Sequence, residues 1–200
     1  NDYSETVSYC AIVFRQRLDY LNETETGTLL QAARKSLEET FQNGKPTAYA
    51  IPETQVTERM KQKKGVFVTL QKKGELRGCI GHLEGDQPLY KAIPNTVLLS
   101  AFNDNRFEPL TKKELNEIDI EISSISPMQP IDSWKQIVLG RDGMVLETNG
   151  QRALFLPQVA LEQGWNVEDT LSHLSQKAGL SADAWKSGAT FQTFTAQIFG

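Results

Sequence analysis

The stretch Gly65-Val66-Phe67-Val68-Thr69-Leu70-Gln71, then Lys72-Lys73-Gly74-Glu75, then Leu76-Arg77-Gly78-Cys79-Ile80-Gly81-His82-Leu83-Glu84 decides how this chain folds. An apolar, β-branched run, a short lysine-glycine turn and a second apolar run predict an antiparallel hairpin. Upstream of it, Asn22 and Glu25 form a capping pair, and Leu29, Leu30, Ala33, Leu37 and Phe41 make one helical face. Asn43-Gly44 then supplies a left-handed stop. Earlier still the pattern divides. Val7, Cys10, Phe14, Leu18 and Leu21 fall at helical spacing, while Ala11-Ile12-Val13-Phe14 reads equally as a buried strand.

Downstream, Asp86 and Pro88 open a second helix with Leu89, Ala92, Ile93, Val97 and Ala101 on one face. Pro94 lies inside it and is expected to kink or break it. Thr111 with Glu114 caps a short turn, and Ile118, Ile120 and Ile122 alternate with Asp119, Glu121 and Ser123 as in a half-buried strand. A second hairpin folds about Asn149-Gly150, with Met144 to Thr148 on one side and Gln151 to Leu156 on the other. Pro157 starts a short helix through Gln163, and Asn166 caps another that runs to Gly179 with Leu171, Leu174 and Ala178 inward. Phe194, Ala196 and Ile198 alternate in a final strand. Hairpins interleaved with helices predict an α+β fold, a largely antiparallel sheet with flanking helices.

Composition narrows the function classes. The chain has 200 residues, 39% hydrophobic and 23% charged, which excludes a disordered chain and suits one domain or a domain with a lobe. No apolar run reaches the roughly 18 residues that cross a bilayer, so no membrane partner is expected. No basic and apolar leader opens the chain, although a start at Asn1 leaves room for upstream sequence. The net charge of −4 argues against a nucleic-acid partner. Two cysteines, Cys10 and Cys79, make no disulfide scaffold and favour a reducing, cytoplasmic setting.

The densest oddity is Leu76 to Gly81. Glycines at 78 and 81 weaken a strand and mark a bulge or a close approach by backbone or ligand. On a regular strand Arg77, Cys79 and Gly81 share a face, with Arg77 and Cys79 about 7 Å apart. A guanidinium at that range favours a reactive thiolate. The plainer reading is that Cys79 simply packs, the commoner fate of a free cysteine. His82 falls on the opposite face, and only a bulge at Gly81 would form a Cys79–His82 dyad. With His82, His173 and two cysteines there is no metal motif, so neither metal nor cofactor is expected. His173 reads as a surface or half-buried histidine.

Two further segments stand out. After the proline-bearing helix, Asp104 and Asn105 are turn formers, and Arg106 either caps the helix-end carbonyls or turns toward an anion or carboxylate. In Leu156-Pro157-Gln158-Val159-Ala160-Leu161-Glu162-Gln163-Gly164-Trp165, two amides and a tryptophan either line a polar site or, the plainer option, Trp165 staples the Asn166 cap. No hydrolase elbow, phosphate loop, dinucleotide fingerprint or zinc-protease motif is present.

Leu-Arg-Gly-Cys-Ile-Gly at 76–81 resembles the signature hexapeptide of the AMMECR-one domain family, named for the Alport syndrome, midface hypoplasia and elliptocytosis chromosomal region. Leu29 to Lys35, Gly65 to Thr69, Ala101-Phe102 through Arg106-Phe107, and Leu156 to Ala160 with Glu162 to Trp165 resemble family blocks in the same order, over roughly residues 28–199. The resemblance implies an α+β fold with a larger and a smaller lobe and the signature near the cleft between them. It implies a site wall of Arg77, Gly78, Cys79 and Gly81, with Asp104, Arg106 and Phe107, and with Pro157, Gln158, Gln163 and Trp165. Cys79 and Arg77 would be the reacting pair, Arg77 or Arg106 would hold an anionic group, and the rest would bind a small molecule. It implies no particular reaction. Bacterial and archaeal members resemble components of systems with a Memo-type domain and a radical S-adenosylmethionine (SAM) protein, which suggests redox metabolism or small-molecule modification. Residues 23–200 form the family domain, and 1–22 an extension whose Val7 to Phe14 run could close an upstream Memo-type domain. No oligomeric state follows.

Three readings separate on structure. An enzyme, or enzyme subunit, requires a solvent-reachable Cys79 in a concave site. An adaptor requires an exposed apolar patch. A packing motif requires full burial of Cys79, with Gly78→Ala or Gly81→Ala costing stability.

Overall fold

The structure, a computed structural model, describes residues 20–200. Apart from Leu21, the ambiguous run from Val7 lies outside the described residues, as does the suggested upstream strand. In chain order the elements are α1 (Glu23–Asn43), β1 (Gly65–Lys72), β2 (Glu75–His82), α2 (Leu89–Phe102), β3 (Ile118–Ile125), β4 (Gln129–Ile131), β5 (Gly143–Thr148), β6 (Gln151–Phe155), α3 (Val159–Glu162), α4 (Val167–Lys177), β7 (Thr190–Phe194) and β8 (Ala196–Phe199).

Helix α1 forms where its end signals stand. Asn22 accepts the Glu25 N–H while Glu25 returns a carboxylate to the Asn22 N–H, and Gly44 closes the helix at φ 67°. Leu29, Ala33 and Leu37 are buried. Helix α2 continues through Pro94, so of the expected kink or break the break does not occur. A proline inside a helix costs about 3 kcal/mol. Burial of Leu89, Ile93 and Val97 beneath it, at roughly 1.5–3 kcal/mol for each large side chain, outweighs that cost.

The strands form two four-stranded antiparallel sheets, ordered β2-β1-β3-β8 and β4-β7-β5-β6. The chain passes between them twice. After β3 it turns through Ser126-Pro127-Met128 into β4, and after β7 it steps across Thr195 into β8. The expected final strand is therefore two strands in different sheets. Ser126 and Thr195 lock both crossings together: the Ser126 N–H donates to the Thr195 carbonyl at 2.8 Å, and the Thr195 N–H donates to Ser126 Oγ at 3.0 Å.

Each sheet has its own apolar core. Helices α1 and α2 cover the first through Leu29, Leu37, Val68, Leu70, Ile93 and Ile122. Helix α4 covers the second through Leu146, Leu171, Leu174 and Trp185. A third cluster, centred on Ile125, Val145, Leu156 and Phe194 with Phe67 and Leu154 beside it, joins the two sheets. The face of the first sheet turned away from α1 and α2 thus meets the second sheet. This is why Ser123 is buried, although strand alternation predicts a solvent-facing position.

Candidate functional site

The hairpin β1–β2 closes through Lys73 and Gly74, both with positive φ (54° and 81°), a turn whose twist suits the strands it joins. One residue is extra on β2. Leu70 pairs with Gly78 but Gln71 pairs with Leu76, so Arg77 sits in a bulge. From Gly78 to His82 the register is regular, so Cys79 and His82 stay on opposite faces and no dyad forms.

Packing explains both glycines. A Cβ on Gly78 would overlap the Ser100 carbonyl of α2, and one on Gly81 would overlap the Phe67 ring. Gly78 therefore lets α2 lie directly on β2, and Gly81 lets Phe67 fold across the strand toward the second sheet.

Strand β2 is an edge, and two side chains occupy its outer backbone groups at Cys79. The Cys79 N–H donates to Asp104 Oδ2 at 2.8 Å, and Arg106 Nη2 donates to the Cys79 carbonyl at 3.1 Å. Arg106 also grips Asp104 with two forked bonds, 2.9 Å from Nε and 2.7 Å from Nη2. Those bonds hold the buried Asp104 carboxyl well below the usual carboxylate range, against the effect of burial. Of the two expected roles Arg106 thus takes the second: it turns to a carboxylate, that of Asp104, and not to the helix-end carbonyls. Arg77 differs from expectation as well. Its Nε bonds Glu114 Oε1 at 2.9 Å, and both side chains are about 15% exposed. That pairing, with help from Thr111, lowers Glu114 to about 2. Phe107 lies within 6.0 Å of both the Arg77 and Arg106 guanidinium carbons, so it is wedged between two cations.

With Arg77 committed to Glu114, other groups surround the thiol. Cys79 is partly exposed, and Thr69 Oγ1 donates to its Sγ at 3.4 Å. Glu121 of β3 stands opposite Thr69 in register and receives Gln158 Nε2 at 3.4 Å. Burial, reinforced by the neighbouring Glu162 charge, raises the Glu121 carboxyl above its ordinary range. Gln158 Oε1 is buried with no partner among the described residues. From α4 comes Lys177, whose Nζ donates to the Leu154 carbonyl at 3.0 Å and lies 4.8 Å above the Phe155 ring. Lys177 is an exposed residue, yet loss of water around its ammonium pulls its pKa below the ordinary lysine value, with Arg106 adding repulsion and Cys79 opposing both. Lys177 has no carboxylate partner among the described residues. Thus Arg106, bonded to the Cys79 carbonyl, and Lys177, bonded to the Leu154 carbonyl, bring cations from different parts of the chain toward Cys79.

The remaining expected residues are distributed around this cluster. Pro157 is buried beside Leu156, and Gln163 is exposed at the end of α3. Trp165 stacks on His173 at 4.0 Å and tilts against Phe155 at 5.8 Å, so its plane belongs to an aromatic row that ends under Lys177. Sequence reasoning misses Glu121 and Lys177. Glu121 looks like the polar half of an alternating strand, and Lys177 like ordinary last-turn helix charge. A cavity of about 560 Å³ opens beside the cluster, bounded by Phe67, Gly81, His82, Arg152 and Leu154. Among the described residues no group of three His, Cys, Asp or Glu could hold a metal ion, and no helix is long and apolar enough to cross a membrane.

Comparison with known proteins agrees with this architecture. The AMMECR1 family profile matches residues 30–199. The chain belongs to the AMMECR1 family. A protein of Methanothermobacter thermautotrophicus is 39% identical over 186 residues, covering 90% of this chain and 95% of its own length. A protein of Methanocaldococcus jannaschii is 37% identical over 185 residues, covering 88% and 90%. The crystal structure of an uncharacterized protein from Pyrococcus horikoshii superposes with a TM-score of 0.81 at 32% identity, covering 90% of this chain and 92% of that one. The AMMECR1 fold is thus α+β with antiparallel sheets, in agreement with the sequence reading.

Proposed function

We propose that this AMMECR1 protein acts on a small anionic molecule at Cys79, as an enzyme or enzyme subunit, where the two sheets meet. One observation carries the reading: a partly exposed thiol, bonded by Thr69, stands on a strand whose Cys79 carbonyl holds Arg106, with Lys177 nearby and without a carboxylate of its own among the described residues. Lys177 can give an anionic substrate a counter-charge, and the thiol is the nucleophile. Gln158 Oε1 offers an open acceptor, and Glu121, whose carboxyl burial raises above its ordinary range, stands in the same cross-strand row as Thr69 and Cys79. Gly78, Gly81, Asp104 and Arg106 shape and brace the strand that presents Cys79, and Arg77 braces its bulge through Glu114. Pro157, Gln163, Trp165 and Phe107 form the surrounding wall. The family resemblance supports a Memo-type domain and a radical SAM protein as working partners, and two cysteines without a disulfide scaffold support a cytoplasmic setting.

The test is alkylation of Cys79 by iodoacetamide in the folded protein, read by peptide mapping with Cys10 as the internal comparison. Modification of folded Cys79, slowed several-fold by Lys177→Gln, is the expected result. Modification only after unfolding overturns the reading.

A second reading, a non-catalytic adaptor, has its own observation. Leu161 is 62% exposed and Val138 is 46% exposed, and Leu161 lies against Gly140, two residues from Val138. An adaptor would keep partner binding in Cys79→Ser and lose it in Leu161→Glu.

A further inference from the structure

Beyond the thiol, a cavity of about 480 Å³ lies where the chain crosses from the first sheet to the second. That size falls within the range of small-ligand pockets, roughly 300–1,000 Å³. One wall is apolar, formed by Leu83, Ile125, Pro127 and Met128. The charged groups around it carry both signs: Lys63, Lys64 and Arg152 against Glu84 and Glu147.

The guanidinium of Arg152 is the exceptional group. Among the described residues Arg59, Arg77, Arg106 and Arg141 each hold a carboxylate, and Arg34 caps two backbone carbonyls. Arg152 instead ends on the thioether of Met128 at 3.1 Å and the amide oxygen of Gln192 at 3.2 Å. A thioether is a weak acceptor, so the fork keeps capacity for a stronger one. An acid is near in register, since Glu147 of β5 stands directly opposite Arg152 of β6, yet the two form no ion pair. Opposite charges facing each other across a hairpin normally attract. Here the cation turns toward Met128 and the cavity, so that among the described residues neither the Arg152 guanidinium nor the Glu147 carboxylate holds an opposite charge.

We propose that this cavity binds an apolar α-amino acid. Its carboxylate takes the Arg152 fork, its ammonium takes Glu147, and its side chain lies on the wall of Leu83, Ile125, Pro127 and Met128. Lining groups of both signs suit a zwitterion, whereas the carboxylates of Glu84 and Glu147 oppose a phosphate dianion. The tight contact of Gly85 with the Lys63–Lys64 backbone fixes the rim. The assignment is independent of the chemistry at Cys79, which the lining of this cavity does not include.

Calorimetric titration of the full chain tests it, using L-leucine, its deaminated analogue isocaproate, its decarboxylated analogue isoamylamine, and inorganic phosphate. Saturable binding of L-leucine is expected, with isocaproate and isoamylamine each at least about tenfold weaker. Arg152→Gln and Glu147→Gln, both on exposed strand positions, should each weaken L-leucine about tenfold or more, and Cys79→Ser should leave it unchanged. Absence of saturable L-leucine binding, phosphate binding as tightly as L-leucine, or indifference to Arg152→Gln overturns the proposal. Loss of binding in Cys79→Ser would move the ligand to the thiol and overturn it equally.

Discussion

The protein contains two hairpins that turn alike and are finished differently. Strands β1–β2 close through Lys73-Gly74 and β5–β6 through Asn149-Gly150, each with positive φ at both loop positions. Each also ends its sheet on an edge strand, β2 and β6. There the likeness stops. Strand β2 carries a bulge and two glycines without room for a methyl group, and is gripped at its edge by Asp104 and Arg106. Strand β6 pairs without a register shift, has no glycine, and among the described residues takes one side-chain bond on its backbone, from Lys177 to the Leu154 carbonyl. Most of the sequence peculiarity of the signature strand therefore reports how closely it is enclosed. Cys79, which needs none of those constraints for itself, is what the enclosure presents.

The contrast can be broken most directly by methyl groups. Gly78→Ala drives a Cβ into a helix carbonyl and should cost about 2–4 kcal/mol. Ala153→Gly, which removes a buried methyl from β6, should cost only about 1 kcal/mol. Equal losses in chemical denaturation would mean that α2 yields and that enclosure does not explain the glycine.

A smaller effect tests the bulge. Pairing with Arg77 lowers Glu114 from its ordinary 4.5 to about 2, so its contribution is complete above about pH 4.5 and is lost as the pH falls toward 2. Glu114→Gln should therefore destabilise the protein by about 1–2 kcal/mol at neutral pH, and the difference from the parent should close on acidification. A gap that stays constant down to pH 2 would show that the ion pair does not brace β2. The smallest effect sharpens the likeness of the turns. Lys73→Asn gives the first hairpin the Asn-Gly turn of the second and should stabilise by a few tenths of a kcal/mol, read as a small rise in Tm.

What was legible in the sequence was local. The Asn22–Glu25 box, the Gly44 stop, the Thr111–Glu114 and Asn166 caps and both hairpins depend on residues a few positions apart, and they stand where the pattern puts them. What escaped depends on pairing between distant segments. Nothing in Phe194 to Ile198 tells that Thr195 divides one alternating run between two sheets, and Ser126-Pro127 carries no more than an ordinary turn signal. The same holds at the candidate site. Arg77 was read from regular alternation, but a one-residue bulge and the distant Glu114 decide where its charge goes. Glu121 and Lys177 gain interest only because β3, β6 and α4 converge on the Cys79 face, a fact of tertiary structure with no local mark.

The pair of side chains on the Cys79 backbone has a consequence for the assembled state of the protein. An edge strand with free amides and carbonyls is a template onto which another chain can zip, the first step toward fibrils and swapped dimers. Asp104 supplies an acceptor and Arg106 a donor at the place where an incoming strand would dock, so together they imitate one residue of a neighbour that never arrives. Among the described residues, growth of the first sheet is terminated by two side chains instead of a fifth strand, and the thiol beside them stays clear of the clutter an added strand would bring.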